Sequence, residues 1–285
     1  MSARTWLKIS RPGLWFQTVW LYLLPTSQMR VWDSWEFWVG LVYVTFPLNF
    51  LVYGWNDIVD YSVDKANPRK DSWLFGARAT PEQLLALPVP LVLVQVPFWG
   101  IILRLNYLAG SLTIVGILLT NYLYNDKRIA LRGRPPFDLL NPLGYLIVLF
   151  LGYWLNDCHL MPWQTILYLA LFCLHAHVIG EVMDFYPDKL AGRVTSVGRL
   201  GITLSKILII ALLVGEIVLV GFVFKEWVLT GFLLFCIIWL VVDMAWLFKE
   251  GSYSLGQFKL MGIAMNLAGY VSISYLWWTG GLLLD

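Results

Sequence analysis

Apolar residues in this chain run in long blocks separated by short polar segments. A helix that crosses a bilayer needs roughly 20 mostly apolar residues. Nine blocks approach that length, at about 13–29, 36–55, 84–103, 107–125, 139–156, 163–181, 205–224, 228–248 and 260–280. A membrane barrel strand would alternate apolar and polar positions over about 10 residues. Blocks such as Ile207–Phe224 and Val228–Val242 do not. The expected fold is all-α, an integral membrane bundle of about nine helices.

Composition narrows the class further. Hydrophobic residues make up 59% of the 285 and charged residues 13%, against about 25% charged in a typical soluble domain. A soluble globular chain, a disordered chain and a disulfide scaffold are all excluded. The three cysteines show no CxxC spacing, so they read as small apolar fillers. The basic start leads into the first block with no small-residue cleavage site, so that block is expected to act as its own membrane signal.

Of the 20 lysines and arginines, all but Arg30, Arg104 and Lys225 fall in the N-terminal segment or the even-numbered loops. Loops rich in Lys and Arg face the cytoplasm. That orients the N-terminus and the even loops inward and places Asp285 outside. The lipid bilayer is the expected surrounding, no nucleic-acid partner is expected, and the pattern leaves oligomeric state open.

The polar chemistry concentrates in three of these inner loops. In the second, Asn56, Asp60 and Asp64 recur every four residues, a spacing that stacks side chains on one helix face. Asp57 points about 100° away and is expected to support rather than ligate. Asn67-Pro68 should then break the helix. In the sixth, Asp184 and Asp188 repeat the spacing with Glu181 one turn deeper. Like charges at this spacing repel unless a cation sits on them. Carboxylates without His or Cys suit hard cations, and Mg²⁺ commonly takes one or two carboxylates plus substrate phosphate oxygens.

Basic residues interleave with these acids. Arg69, Lys70, Lys127, Arg128, Arg132 and Lys189 are the candidates for a diphosphate, Arg binding it as a fork and Lys as a point charge. Paired Asp motifs, cations and an aromatic-rich apolar bundle suit an amphiphile with a diphosphate head, such as an isoprenyl diphosphate.

Asn56-Asp57-x-x-Asp60-x-x-x-Asp64 and Asp184-x-x-x-Asp188, followed by Gly192 and Thr195, resemble the two Asp-rich motifs of the UbiA superfamily of membrane prenyltransferases. Ser10-Arg11-Pro12 with Trp15, Pro47 to Gly54, Asn67-Pro68-Arg69-Lys70, Gly133-Arg134-Pro135 with Asp138, and His175-Ala176-His177 resemble its carotenoid (lycopene) elongases. The resemblance implies one prenyltransferase domain over residues 1–285, with a cytoplasm-facing active site. It implies Mg²⁺ held by Asn56, Asp60 and Asp64 on one side and by Asp184 and Asp188 on the other. It also implies prenyl transfer from an isoprenyl diphosphate to a lipophilic acceptor, a polyene or an aromatic or quinone precursor. A Tyr-x-x-x-Lys motif common in the family is matched by Tyr124-x-x-x-Arg128, with Lys127 one position off. This puts Tyr124 in the candidate catalytic set with the five Asn and Asp residues. Which of Lys127, Arg128 and Arg132 meets the diphosphate stays open.

Tyr53, Tyr61, Tyr122 and Tyr124 are near enough to the motifs to face an allylic cation. His175 and His177, two residues apart, should point to different helix faces. Glu216 and Asp243 lie inside blocks, where a carboxylate is costly and marks a functional-site candidate. Asp243 is near enough to the inner end to be solvated or paired with a lysine. A terpene cyclase would use the same diphosphate site, and a transporter is the alternative of another class.

Overall fold

The computed structural model describes every residue except 66, 68, 159–160, 252 and 284–285. Pro68 of the expected helix break and the outward placement of Asp285 lie outside the described residues. Helices α1 (Ala3–Ile9), α2 (Trp15–Leu23), α3 (Trp35–Val44), α4 (Phe46–Val59), α5 (Tyr61–Asp64), α6 (Pro81–Leu85) and α7 (Pro88–Leu105) form the first half. They are followed by α8 (Tyr107–Asn125), α9 (Leu146–Leu155), α10 (Trp163–Leu190), α11 (Ser196–Leu200), α12 (Ile202–Ile217), α13 (Trp227–Ala245) and α14 (Leu255–Thr279). Among the described residues the only extended pairing is an isolated bridge between Ser72 and Gly76.

Among the described residues, eight stretches are long and apolar enough to cross a bilayer: Trp35–Val59, Pro88–Leu105, Tyr107–Asn125, Phe137–Leu155, Trp163–Leu190, Ile202–Val223, Trp227–Ala245 and Leu255–Thr279. They match eight of the expected blocks. The first block is shorter as a helix. Pro12 and Pro25 sit in 3-10 turns that flank α2, because proline supplies no N–H to extend an α-helical ladder. Large apolar side chains such as Leu93, Val96, Leu112, Val115, Ile238 and Val271 remain exposed. In an integral membrane protein these are the lipid-facing surfaces.

The break between α3 and α4 shows how the bundle handles lost backbone bonds. Pro47 lies in the first turn of α4 and interrupts the ladder. Buried backbone carbonyls need partners. The Thr18 hydroxyl, on α2, donates to the Val44 carbonyl at 2.6 Å. The Asn49 amide donates to the carbonyls of Val44 (2.9 Å) and Thr45 (2.8 Å) and to Thr18 Oγ1 (2.9 Å). One proline is thus compensated by two buried polar side chains.

Helix α2 packs along α9, and α10 along α12. The first contact depends on Gly152, where a Cβ would lie 2.4 Å from the Tyr22 carbonyl oxygen. Small residues at such crossings let membrane helices approach to backbone contact. Tyr22, fully buried there, donates its hydroxyl to the Phe37 carbonyl at 2.9 Å. The C-terminal ends of α4 and α10 meet at one cavity.

Candidate active site

Helix α4 ends at Val59, and the chain bends at Asp60 before resuming as α5. The single continuous helix face expected for Asn56, Asp60 and Asp64 is therefore bent. The Asp64 N–H still reaches the Asp60 carbonyl at 2.9 Å, so the bend keeps all three side chains on one side. Asp184 and Asp188 share one turn of α10, which continues through Pro187. All five line a cavity of about 330 Å³.

Every motif carboxylate meets a cation from another element. Asp60 Oδ1 receives Arg132 at 2.6 Å and Arg193 at 2.7 Å, and its other oxygen receives the Asn56 amide at 3.0 Å. Arg193 also reaches Asp188 at 3.2 Å, so one guanidinium ties the two motifs together. Lys70 pairs with Asp64 at 2.7 Å, and Arg69 with Asp184. Arg69 is flanked by the rings of Phe75 and Phe258, each 5.1 Å from its guanidinium carbon. Burial, with Arg11 acting in the same direction, lowers its pKa to about 10. That leaves it charged at neutral pH. Burial raises the pKa of the Asp64 carboxyl, and Lys70 opposes the rise.

Asp57 does not line the cavity. It accepts from Arg11 and from Lys70, each at 2.7 Å, and so holds two cavity cations from behind. Arg11 adopts the left-handed conformation, φ 51°, and its guanidinium lies 4.5 Å over the Tyr53 ring. A non-glycine residue there costs about 1–3 kcal/mol, offset by the ion pair and the ring contact. The segment before it clasps the second inner loop. Lys8 pairs with Asp71 at 2.8 Å, Trp6 packs on Phe50 of α4, and the Gly13 N–H donates to the Trp73 carbonyl at 3.1 Å.

Among the basic candidates, Arg69, Lys70 and Arg132 line the cavity, while Lys127, Arg128 and Lys189 do not and are exposed. Helix α8 ends at Asn125 and Asp126 is extended (φ −60°, ψ 131°). Tyr124 and Arg128 therefore do not share a helical turn. Arg132 comes back instead, with its guanidinium 5.8 Å over the Tyr124 ring. Lys189 lies on the outer face of α10, 5.9 Å from the Phe185 ring. Of the tyrosines, Tyr53 and Tyr124 line the cavity, and Tyr61 and Tyr122 do not.

Arg11 and Arg193 were not among the site candidates drawn from the motifs. A readable signal for Arg193 is Gly192, which ends α10 at φ 70°. The Gly192 N–H bonds to the Lys189 carbonyl and the Arg193 N–H to that of Asp188, the two bonds of a Schellman turn. That turn sends Arg193 back over Asp188. Asp138 anchors the neighbouring loop, accepting from the backbone N–H and hydroxyl of Ser196 at the start of α11.

The two intramembrane carboxylates are both paired. Glu216 bonds His175 on α10, away from the cavity, while His177 lines it. Asp243 bonds Lys206 and also accepts from the Tyr253 hydroxyl at 2.9 Å. Lys206, assigned by its charge to a loop, is a buried residue of α12.

The donor set fits a hard cation, being oxygen throughout: the Asn56 amide and four carboxylates. Among the described residues no three acidic, histidine or cysteine side chains converge to hold a metal by themselves. Cations of the chain stand between them instead. Such spacing suits Mg²⁺ that completes its shell with water and substrate oxygens.

Compared with known proteins, residues 14–280 match the UbiA prenyltransferase family. The chain is 26% identical over 210 residues to a lycopene elongase/hydratase of Corynebacterium glutamicum, covering 70% of this chain and 71% of that one. A lycopene elongase/hydratase of Haloarcula japonica is 27% identical over 169 residues, 56% of this chain and 53% of that one. The structure of a UbiA homolog from Archaeoglobus fulgidus bound to GPP and Mg²⁺ shares the fold. Its TM-score is 0.69 at 14% identity, over 95% of this chain and 99% of that one.

Proposed function

The chain belongs to the UbiA prenyltransferase family, and from that premise we propose Mg²⁺-dependent transfer of a prenyl group from an isoprenyl diphosphate to a lipophilic acceptor in the membrane. One observation carries the reading. Two Asp motifs on different helices meet at one cavity, each carboxylate paired with a cation that also suits phosphate. The relatives named for lycopene elongation support a polyene such as lycopene over an aromatic or quinone precursor. The homolog bound to GPP and Mg²⁺ supports an allylic diphosphate donor. The whole chain acts as one domain, and its charge pattern sets the cavity toward the cytoplasm.

Asn56, Asp60 and Asp64 would hold one Mg²⁺, and Asp184 and Asp188 another. Bound there, the metal supplies Lewis-acid stabilisation of charge on the departing diphosphate. The chain's own cations do the remaining binding. Arg69, Arg132 and Arg193 present forks to phosphate oxygens and Lys70 a point charge. Their present carboxylate partners are the would-be metal ligands, so these ion pairs hold the cations at the cavity and exchange carboxylate for phosphate as metal and substrate enter. Tyr53 and Tyr124 line the cavity with Arg11 and Arg132 over one face of each ring, and any face left open to the cavity can stabilise the allylic cation, while the surrounding apolar side chains exclude water that would trap it.

The test is diphosphate release by the purified protein in lipid. Dimethylallyl, geranyl and farnesyl diphosphates are each offered with Mg²⁺ or EDTA, and with lycopene, a hydroxybenzoate or a quinone precursor added singly. Release that needs Mg²⁺ and rises with one acceptor supports the reading. Release without acceptor, giving a cyclic hydrocarbon, replaces it with cyclisation. No release under any condition overturns it.

A further inference from the structure

Among the described residues, five cations and five carboxylates line the cavity, so its wall is neutral overall. Asp60 and Asp188 are both buried, and a buried charge stripped of its partner is costly. A dication arriving alone must displace a guanidinium that then has no anion to meet. A diphosphate arriving alone must strip a cation from a carboxylate. Arriving together, the two exchange partners with the wall and leave no charge unpaired.

The five cations differ in what else holds them. Arg69 sits between two aromatic rings, Arg11 and Lys70 share Asp57, and Arg132 lies over the Tyr124 ring. Among the described residues, the Arg193 guanidinium has only the motif carboxylates for partners. One amino group donates to Asp60 at 2.7 Å and the other lies 3.2 Å from Asp188, so a single fork spans both motifs. Its backbone is lightly held as well. Arg193 is half-buried on the link between α10 and α11, and a Cβ on the preceding Gly192 would meet nothing within 4 Å. The carboxylates it joins are set by α4 and α10 instead.

We propose that Arg193 is a tethered counter-ion: it stands in for the metal across the two Asp motifs of the empty site and passes to the diphosphate when Mg²⁺ enters. This deepens the prenyl-transfer reading above and rests on it. While the fork is in place the two motifs stay together without metal, and Mg²⁺ meets a competitor for Asp60 and Asp188. Mg²⁺ and the donor therefore each bind weakly alone and strengthen one another, by the same factor in both directions. The exchange also ties the charge of the site to its occupancy. Arg193 reaches the diphosphate only after the metal has released it from the carboxylates.

The experiment measures Mg²⁺ binding by calorimetry on the full chain in lipid nanodiscs, with and without the thiolodiphosphate analogue of geranyl diphosphate, whose C–S bond resists cleavage. The native chain should bind Mg²⁺ at least about tenfold more tightly with the analogue present. Arg193→Gln should bind Mg²⁺ alone at least about tenfold more tightly than the native chain, and the gain from the analogue should shrink. Its diphosphate release from geranyl diphosphate should nonetheless fall. Arg199→Gln removes an exposed cation of α11 and should leave Mg²⁺ binding within about threefold, because exposed charge is screened. If Arg193→Gln binds Mg²⁺ alone no better than the native chain, or Arg199→Gln gains as much, the proposal is overturned. Arg193→Lys keeps the charge but cannot span both carboxylates. It should shift Mg²⁺ binding the same way by less, and it decides if Arg193→Gln fails to fold. A native chain that binds no Mg²⁺ even with the analogue would instead overturn Mg²⁺-dependent prenyl transfer itself.

Discussion

Replacing Asp60 by Asn is the sharpest perturbation of the site, because the two guanidinia and the Asn56 amide all converge on that carboxylate. The variant keeps one oxygen, which can accept from Arg193 but no longer as an anion, and Arg132 loses its ion pair. Its new NH₂ faces the Asn56 amide, donor against donor. One charge-assisted bond, worth about 1.5–3 kcal/mol, is lost and a second weakened, so the resting protein should lose roughly 2–4 kcal/mol of stability. Catalysis should suffer separately. Losing one preorganised group at a centre of developing charge costs about 100–1000-fold in turnover. The assay is Mg²⁺-dependent diphosphate release in lipid, with a thermal midpoint taken on the same sample. The Mg²⁺ midpoint should rise, and Asp188→Asn should behave alike. If both variants keep more than about a tenth of native turnover with an unchanged Mg²⁺ midpoint, a loss of under 1.4 kcal/mol, the metal assignment is wrong.

Arg132→Ala should lower diphosphate release by at least about tenfold, whereas Lys127→Ala and Arg128→Ala should stay within about threefold, because only Arg132 faces the cavity. Lys206→Met should destabilise by about 3–5 kcal/mol, since it strands the buried Asp243 carboxylate. Adding Asp243→Leu should recover most of that, read as thermal midpoints of the single and double variants. Gly152→Val should cost about 1–3 kcal/mol or more by forcing α2 and α9 apart at Tyr22, seen as a shortened half-life in detergent. EDTA should abolish diphosphate release, and added Mg²⁺ should restore it.

The helices were readable because apolar blocks of bilayer length have few other solutions, and eight of nine appeared where expected. The first is broken up for a local reason: its α-helix covers only Trp15–Leu23, between 3-10 turns at the prolines at 12 and 25. The Asp motifs were readable because four-residue spacing survives a bend when the backbone bond from Asp64 to Asp60 is kept. What spacing could not convey was partner choice across the bundle. Arg193 looked like any inner-loop cation until the Gly192 turn aimed it at two carboxylates. Lys206 counted as a loop charge because hydropathy does not see Asp243 on the next helix. The Tyr124–Arg128 register assumed one more turn of α8 than the chain makes.

The clasp made by the first thirteen residues bears on how this protein should be handled. A short basic stretch ahead of a membrane segment is an obvious place to trim or to attach a purification tag. Here it carries Arg11, a cavity cation that Asp57 holds from behind, Lys8, which secures the loop bearing Arg69 and Lys70, and Trp6, which packs on Phe50 of α4. Trimming to Pro12 would leave every membrane helix intact and still strip the site of one of its cations. Preparations shortened in that way would be well behaved on a sizing column and deficient in turnover.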